Sequence, residues 1–319
     1  MKTELTDRQQ KDLEEMIRTM KAFLEKEYEG ATRKRNFHPK MHGCLKGKLI
    51  VFSGLSEPVR QGLFKEPGEY EIWARLSNAP PKVGKDTGSS GRGLAIKVLD
   101  VSGPLLSPLD PIGVPTQNFL MTTSPILSAS SIRLYRKAMS AVLGGLWPRI
   151  WFALNPFHWR SLFLTLKHAA KHDNLLAVDY FSGAAFRLGP DQFGKFVLKS
   201  NYPQLGYSLD QPKGSDFLRK QLVADLSKSD YSFTLHVQLY ENDRRQPLDD
   251  TSRVWKAPLI PVATVVFPKQ EFDFPERNEF GEKLEFSPWM GLLDHEPIGE
   301  INLARRMVYE ELANFRQTQ

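Results

Sequence analysis

The sequence predicts an α+β protein in which one antiparallel β-barrel carries inserted and C-terminal helices. Three observations lead to this expectation. Short runs rich in β-branched and aromatic residues recur between Gly, Pro, Ser and Asn, as antiparallel strands do. Helical patterns of apolar residues occur at both ends of the chain and interrupt the runs at 131–173. The 319 residues, 41% of them hydrophobic and 25% charged, can bury a substantial core.

The first predicted element is an amphipathic helix over residues 4–28. Its apolar residues recur at spacings of three and four among charges, and Thr6 is the expected N-cap. The basic segment Arg33-Lys34-Arg35 follows this helix. We therefore divide the chain into an N-terminal helical arm, 1–34, and a single domain, 35–319. The polar arm is a candidate for packing on a second copy in a homodimer.

Eight runs then predict strands, and other patterns predict helices between and after them. The strand runs are 48–52, 70–77, 93–99, 118–122, 184–188, 195–200, 231–240 and 259–267. Prolines 148 and 156 divide the aromatic insertion, 131–173, into two or three helices. A further helix is expected over 215–226. The last helix begins near Ile298 and has one apolar face, formed by Ile301, Ala304, Val308, Leu312 and Phe315.

Composition excludes several classes of function. The 43 Lys and Arg against 37 Asp and Glu give a net charge of +6, which is scattered and forms no basic stripe for nucleic acid. The single cysteine, Cys44, excludes an internal disulfide and a thiolate metal cluster. The N-terminus lacks the apolar core of a signal peptide, and no run reaches the length of a membrane span. We expect a cytoplasmic protein.

The insertion alternates Trp and Phe with Arg149, Arg160 and Lys167. This pattern is typical either of the helical core of a capping subdomain or of an interfacial helix on an anionic membrane. The second alternative would make the protein peripheral to the inner membrane face and would suit a lipid substrate.

Candidate chemistry comes from a few histidines, arginines and one tyrosine. His38 and His42 lie four residues apart and could hold a metal on a helix, but Pro39 and Gly43 argue against a helix there. Arg75 lies within a strand, on the same face as Ser77, and requires either an anionic partner or an outward direction. Arg305 and Tyr309 form an i, i+4 pair, and a nearby cation favours the phenolate form of a tyrosine.

Six segments, taken in order, resemble motifs of the catalase superfamily, in particular its small catalase-related branch. The first three are RNFHPKMHGCLKGKLIV, WARLSNAP and GRGLAIKVLDV. The last three are VWKAPLIPVATVVF, LEFSPW and ARRMVYEELANFR. The resemblance runs with gaps from about Arg35 to Arg316, and it implies a catalase-like barrel that binds haem b.

The resemblance also implies roles for individual residues. Tyr309 would be the ligand of the haem iron, with Arg305 keeping it a phenolate. Ser77 would orient the distal histidine. That histidine is either His38, which keeps the motif's spacing from Arg35, or His42, which keeps the His-Gly sequence; we favour His38. The remaining expected cofactor contacts are Arg35, Arg75 and Arg316 on the propionates and Phe119.

The distal amide of the family has no clear counterpart, and Asn118 or Gln117 is the candidate substitute. The implied function is a haem peroxidase or catalase-like enzyme acting on hydrogen peroxide or on an organic, including fatty-acid, hydroperoxide. The alternatives are a hydroperoxide isomerase similar to allene oxide synthases and a non-enzymatic barrel that binds haem or lipid.

Overall fold

The computed structural model describes residues 4–107, 110–202 and 214–318. Its first element is helix α1, Asp7–Glu27, which begins at the predicted cap. Thr6 Oγ1 accepts from the Gln9 amide, and the Gln9 side chain accepts from the Thr6 amide, so two otherwise unpaired donors are satisfied. Helix α1 ends at Tyr28.

An eight-stranded antiparallel barrel forms the body of the molecule, and a short ninth strand extends it. The strands are β1 Met41–Val51, β2 Gly68–Asn78, β3 Arg92–Leu99, β4 Thr116–Thr122, β5 Tyr180–Phe181, β6 Phe186–Leu188, β7 Gln192–Ser200, β8 Tyr231–Leu239 and β9 Ile260–Phe267. The barrel order is β1-β2-β3-β4-β5-β7-β8-β9. Pairing of β1 with β9 and of β5 with both β4 and β7 closes the sheet, so the barrel strands have no free edge. Strand β6 forms a hairpin with β7.

Seven α-helices in the described ranges complete the fold, and their arrangement confirms the predicted α+β class. Three of them form the predicted insertion between β4 and β5: α2 Ile132–Leu143, α3 Leu146–Leu154 and α4 Trp159–His168. Helix α5 is Phe217–Leu226 and helix α6 is Pro275–Lys283. The C-terminal helix α7, Glu300–Gln317, begins two residues after the expected start.

Four apolar clusters occur in the described residues, and the two largest hold these layers together. The barrel interior is filled by inward side chains of the strands, for example Leu45, Ile72 and Phe196. A second core lies outside the barrel, where Met16 of α1 and Met139 of α2 pack with Val308 of α7. Helix α1 therefore covers its apolar face within its own chain rather than on a second copy. The division at residue 34 and the homodimer stay predictions.

No helix in the described ranges is long and apolar enough to cross a membrane.

Candidate functional site

The two faces of strand β2 separate the barrel core from the candidate site. Ile72, Ala74 and Leu76 point into the core, as period-two alternation predicts. Arg75 and Ser77 project from the outer face and are buried there. Strand β2 lies between β1 and β3 and is not an edge strand. Arg75 is therefore buried on the outer face of the barrel and does not point into solvent.

His38 lies over this outer face and is fixed at three points. Its Nδ1 is 3.0 Å from Ser77 Oγ, and its carbonyl accepts from Arg75 Nη1 at 3.0 Å. A Cβ on Gly93 of β3 would lie 2.4 Å from the imidazole, so only glycine leaves room for the ring. His38 has a left-handed backbone, φ 60°, which these contacts hold in place.

The surroundings of His38 keep its ring neutral. Burial, followed by the positive charges of Arg75, Arg35 and Arg305, lowers its pKa to about 3. The residue as a whole is half-buried. When Nδ1–H donates to Ser77, Nε2 is the basic nitrogen left to accept a proton.

His42 lies in a different environment. Its Nε2 is 2.8 Å from Asn78 Oδ1 and 3.9 Å from Asp86 Oδ1. Asn78 follows Ser77 in β2 and therefore points to the opposite face of the sheet. The structure thus separates the two histidines and places His38, not His42, beside Ser77. No group of three His, Cys, Asp or Glu side chains in the described ranges could hold a metal ion, so the alternative of a His38–His42 metal pair receives no support.

Three arginines from distant parts of the sequence meet below His38. Arg35 donates to Glu282 Oε2 at 3.0 Å, and Arg75 donates to the same oxygen at 3.4 Å. Burial lowers the pKa of Arg35 well below its usual value, and the charges of Arg75 and Arg316 add to this effect. Glu282 and Glu285 oppose it. Three guanidiniums lie near two carboxylates, which leaves a half-buried excess of positive charge that favours further anionic charge.

Helix α7 supplies the other wall of the site. Arg305 donates to Asn302 Oδ1 at 3.0 Å, and the Asn302 amide is itself fixed by two backbone carbonyls. The guanidinium carbon of Arg305 lies 5.7 Å from the centre of the Tyr309 ring. Tyr135 of α2 is a neighbour: burial, followed by the nearby Tyr309, raises the pKa of Tyr135 to about 12. Arg305 thus lies over the Tyr309 ring, and its charge also opposes the raised pKa of Tyr135.

The two candidate amides on β4 differ in their bonding. Gln117 Oε1 accepts from the Leu292 amide at 2.9 Å, and its Nε2 donates to the Asn118 carbonyl at 3.2 Å. Both amide atoms of the Asn118 side chain are buried without a hydrogen-bond partner in the described part of the chain. Asn118 pairs with Lys97 of β3 and lies on the outer face. It is four residues along β4 from Thr122, which pairs with Gly93. Of the two amides, Asn118 is the one available to a ligand.

Phe119 points the other way. It packs in the barrel interior with ring centres 4.9 Å from Phe196 and 6.5 Å from Phe64. The reason is strand parity, since Asn118 faces outward and its neighbour must face inward. The prediction that Phe119 contacts a cofactor at the outer face is therefore wrong, and Leu120 is the neighbour that shares the outer face with Asn118.

Three residues of this site were not foreseen from the sequence. Glu282 lies on α6, a charged segment without apolar periodicity, and the only available sequence signal was Pro275 at its first turn. Gly93 was part of a quoted motif, but its contact with His38 is tertiary. Tyr135 lies in an ordinary amphipathic helix and has no distinguishing local signal.

Comparisons with known proteins bear on the fold. No protein-family model matches the chain, and no curated protein matches it in sequence. Among solved structures, a fungal catalase superposes with a TM-score of 0.71 at 16% identity, covering 89% of this chain and 59% of that one. The fold is catalase-like. Catalase A from Saccharomyces cerevisiae gives a TM-score of 0.72 at 14% identity, covering 89% of this chain and 61% of that catalase. The chain thus spans about three fifths of the length of these catalases.

Three buried histidines make stability depend on pH. Burial is the main cause that lowers the pKa of His38 to about 3 and of His42 and His295 to about 4. Since an unfolded histidine titrates near 6.5, the unfolded chain binds more protons than the folded chain between pH 6.5 and about 4. The free energy of unfolding should therefore fall as the pH falls through this range, by up to about 1.4 kcal/mol per pH unit for each histidine.

Urea unfolding at pH 7, 6 and 5 measures this dependence. His295 Nε2 accepts from the Leu63 amide outside the candidate site, so His295→Gln keeps an acceptor and removes one titrating group. In this variant, the free energy of unfolding should change less steeply with pH, by the contribution of about one proton. An unchanged slope would contradict the assignment of His295 as a buried neutral histidine.

Proposed function

We propose that the protein is a haem-dependent enzyme of peroxide chemistry, a peroxidase or catalase-like oxidoreductase. One observation carries the proposal: the outer face of β2 and helix α7 bring together a neutral distal histidine, three arginines, and a tyrosine beside an arginine. These groups come from residues 35–77 and 305–316, and their arrangement supports the roles that the sequence motifs imply.

The residues present fit haem on grounds internal to the structure. The arginine cluster has more positive than negative charge and suits the two propionates of haem b. Arg75 Nε is buried without a hydrogen-bond partner in the described residues, as are both amide atoms of Asn118. Gly93 removes a side chain where the His38 ring lies close to the sheet. A flat dianionic group between β2 and α7 would accept from the unpaired Arg75 Nε.

Each residue then has a physical task. Tyr309 would bind the iron, and Arg305 would hold the phenol as phenolate through its charge. Arg35, Arg75 and Arg316 would hold the propionates. The bound haem would supply the redox chemistry that cleaves a peroxide O–O bond. His38 Nε2 would accept the proton from one peroxide oxygen and deliver it to the other, with Ser77 fixing the ring. Asn118 is proposed as the amide that orients the peroxide.

Spectroscopy of the purified protein, reconstituted with haem where necessary, tests the proposal. We expect one haem per chain, a Soret band typical of ferric high-spin tyrosinate haem, and a change in that band on addition of hydrogen peroxide. Absence of stoichiometric haem would reject the proposal. A Soret band that does not respond to any peroxide would favour the barrel that only carries or senses haem.

The exposed side chains of the helical insertion, 131–173, are the basis for a proposed substrate class. Its exposed aromatic side chains favour a fatty-acid hydroperoxide over hydrogen peroxide, because each buried methylene contributes about 0.8 kcal/mol to binding. Comparison of kcat/KM for hydrogen peroxide, a short alkyl hydroperoxide and a fatty-acid hydroperoxide decides this point. An isomerase would convert the last without consuming a reductant. A clear preference for hydrogen peroxide would reject the lipid substrate while leaving the haem proposal intact.

A further inference from the structure

The helical insertion exposes an unusual number of large apolar side chains. Trp147 and Trp151 of α3 are 70% and 71% exposed, and Phe157 between the helices is 92% exposed. The same surface, which we call the aromatic face, also includes Leu146, Leu154, Trp159, Phe163 and Leu166. Helix α3 buries only Phe152 and helix α4 only Ser161. Eight large apolar side chains exposed within residues 146–166 indicate a binding surface rather than water-facing helices.

Contacts on the side of the insertion that faces the barrel hold its helices so that the aromatic side chains stay exposed. The His158 ring stacks on Phe152 with ring centres 4.3 Å apart, and its Nδ1 is 3.1 Å from the Phe152 carbonyl. Ser161 donates to the Ser128 carbonyl, and Arg160 donates to Ser252. The helices are therefore anchored to the body by their polar sides, and the aromatic side chains point away from it.

The charge of the insertion indicates the partner. Between Asp110 and Asp173 the sequence contains seven Lys and Arg and no Asp or Glu. Arg136 is paired with Asp12 and Glu15 of α1, but Lys167 of α4 and Lys171, three residues after that helix, are exposed. A surface that combines Trp, Phe and Leu with exposed lysines matches the interface of an anionic bilayer, where Trp rings lie at headgroup level and cations meet phosphates.

We propose that the aromatic face docks the protein on an anionic lipid bilayer, with α3 and α4 lying in the headgroup layer. A second copy of the chain fits less well, since a two-fold contact would place two positive surfaces against each other. The proposal does not depend on haem or on peroxide chemistry. It would place the protein where lipid hydroperoxides form, but vesicle binding is expected whether or not the proposed function holds.

Co-sedimentation with vesicles of phosphatidylglycerol and phosphatidylcholine tests the docking. We expect binding to phosphatidylglycerol vesicles, at least about ten-fold weaker binding to pure phosphatidylcholine, and further weakening with salt. Brominated lipid should quench tryptophan fluorescence, because three of the six tryptophans belong to the aromatic face.

Matched variants assign the binding to residues. Trp151→Ser with Phe157→Ser should weaken vesicle binding about ten-fold or more and reduce the quenching. The control pair Val83→Ser and Leu293→Ser changes exposed apolar residues elsewhere and should leave binding unchanged. Lys167→Glu with Lys171→Glu should weaken binding to anionic vesicles, whereas Lys65→Glu, also exposed, should not.

Two results would overturn the proposal. One is vesicle binding that is absent or unaffected by the Trp151 and Phe157 changes. The other is a stable dimer, seen by light scattering, that Trp151→Ser with Phe157→Ser converts to monomer, since the face would then serve a second copy.

Discussion

His38→Ala is expected to slow peroxide cleavage by about 10²–10⁴-fold while leaving haem content near that of the unaltered protein. The ring is neutral at physiological pH, because burial and three arginines lower its pKa to about 3. Its Nδ1 is held by Ser77 at 3.0 Å, which leaves Nε2 to take the peroxide proton. Alanine removes that base and leaves the arginines and Tyr309 in place.

His42→Ala is the matched control. His42 is also buried with a lowered pKa, but it bonds to Asn78 on the opposite face of β2. Its loss should reduce the unfolding temperature and change turnover far less than the His38 variant does. Ser77→Ala should give an intermediate loss of turnover, because the ring stays but is no longer oriented. If His42→Ala shows the larger loss per haem, or if neither variant slows turnover, the assignment of His38 is wrong.

The barrel was largely predictable because half-buried strands carry a period of two. Seven of the eight predicted runs lie on barrel strands of the structure, and the eighth, 184–188, overlaps the extending strand β6. Strand β1 begins at Met41 rather than at the predicted 48, because its first five residues are all buried and show no alternation. Gly43 lies against Phe272 of the barrel core, whereas Cys44 lies on the other face against Gly281 of α6, so that part of the strand has two buried faces.

Most individual residues of the candidate site could be named from the sequence, but their positions relative to one another could not. Electrostatics requires an anion near a buried Arg75, but it cannot show from sequence that Arg35 and Arg316 meet at the same place. Glu282 completes that cluster from a helix that carries no hydrophobic pattern. Phe119 shows a different error. The motif located strand β4 correctly, but adjacent residues of a strand face opposite sides, so an alignment that is wrong by one residue assigns a side chain to the wrong face.

The insertion shows how a sequence pattern can remain ambiguous until exposure is known. Its aromatic residues were compatible with a buried capping subdomain or with an interfacial surface. The structure buries Phe152 against His158 and exposes Trp151, two adjacent residues of the same composition class. A variant pair meant to probe the exposed surface should therefore combine Trp151 with Phe157, because Phe152→Ser would loosen the packing of the insertion instead.

Tyr309→Phe is expected to reduce haem retained after gel filtration by about an order of magnitude or more, and to abolish the tyrosinate spectrum of any haem that remains. The change removes one oxygen and keeps the ring, so packing of α7 should persist. Circular dichroism and thermal unfolding of the variant without haem should match those of the unaltered protein. An unchanged Soret band in Tyr309→Phe would exclude the phenol oxygen as iron ligand.

Tyr135→Phe provides the control that separates ligation from general loss of a buried phenol. Tyr135 lies close to Tyr309, but burial raises its pKa to about 12, so it stays protonated and is a poor ligand for ferric iron. The guanidinium carbon of Arg305 lies 5.7 Å from the centre of the Tyr309 ring. Arg305→Gln should therefore weaken haem retention in the same direction as Tyr309→Phe, whereas Tyr135→Phe should leave both retention and spectrum unchanged. Loss of the tyrosinate spectrum in Tyr135→Phe alone would move the ligand from α7 to α2 and would remove the reason for a cation at position 305.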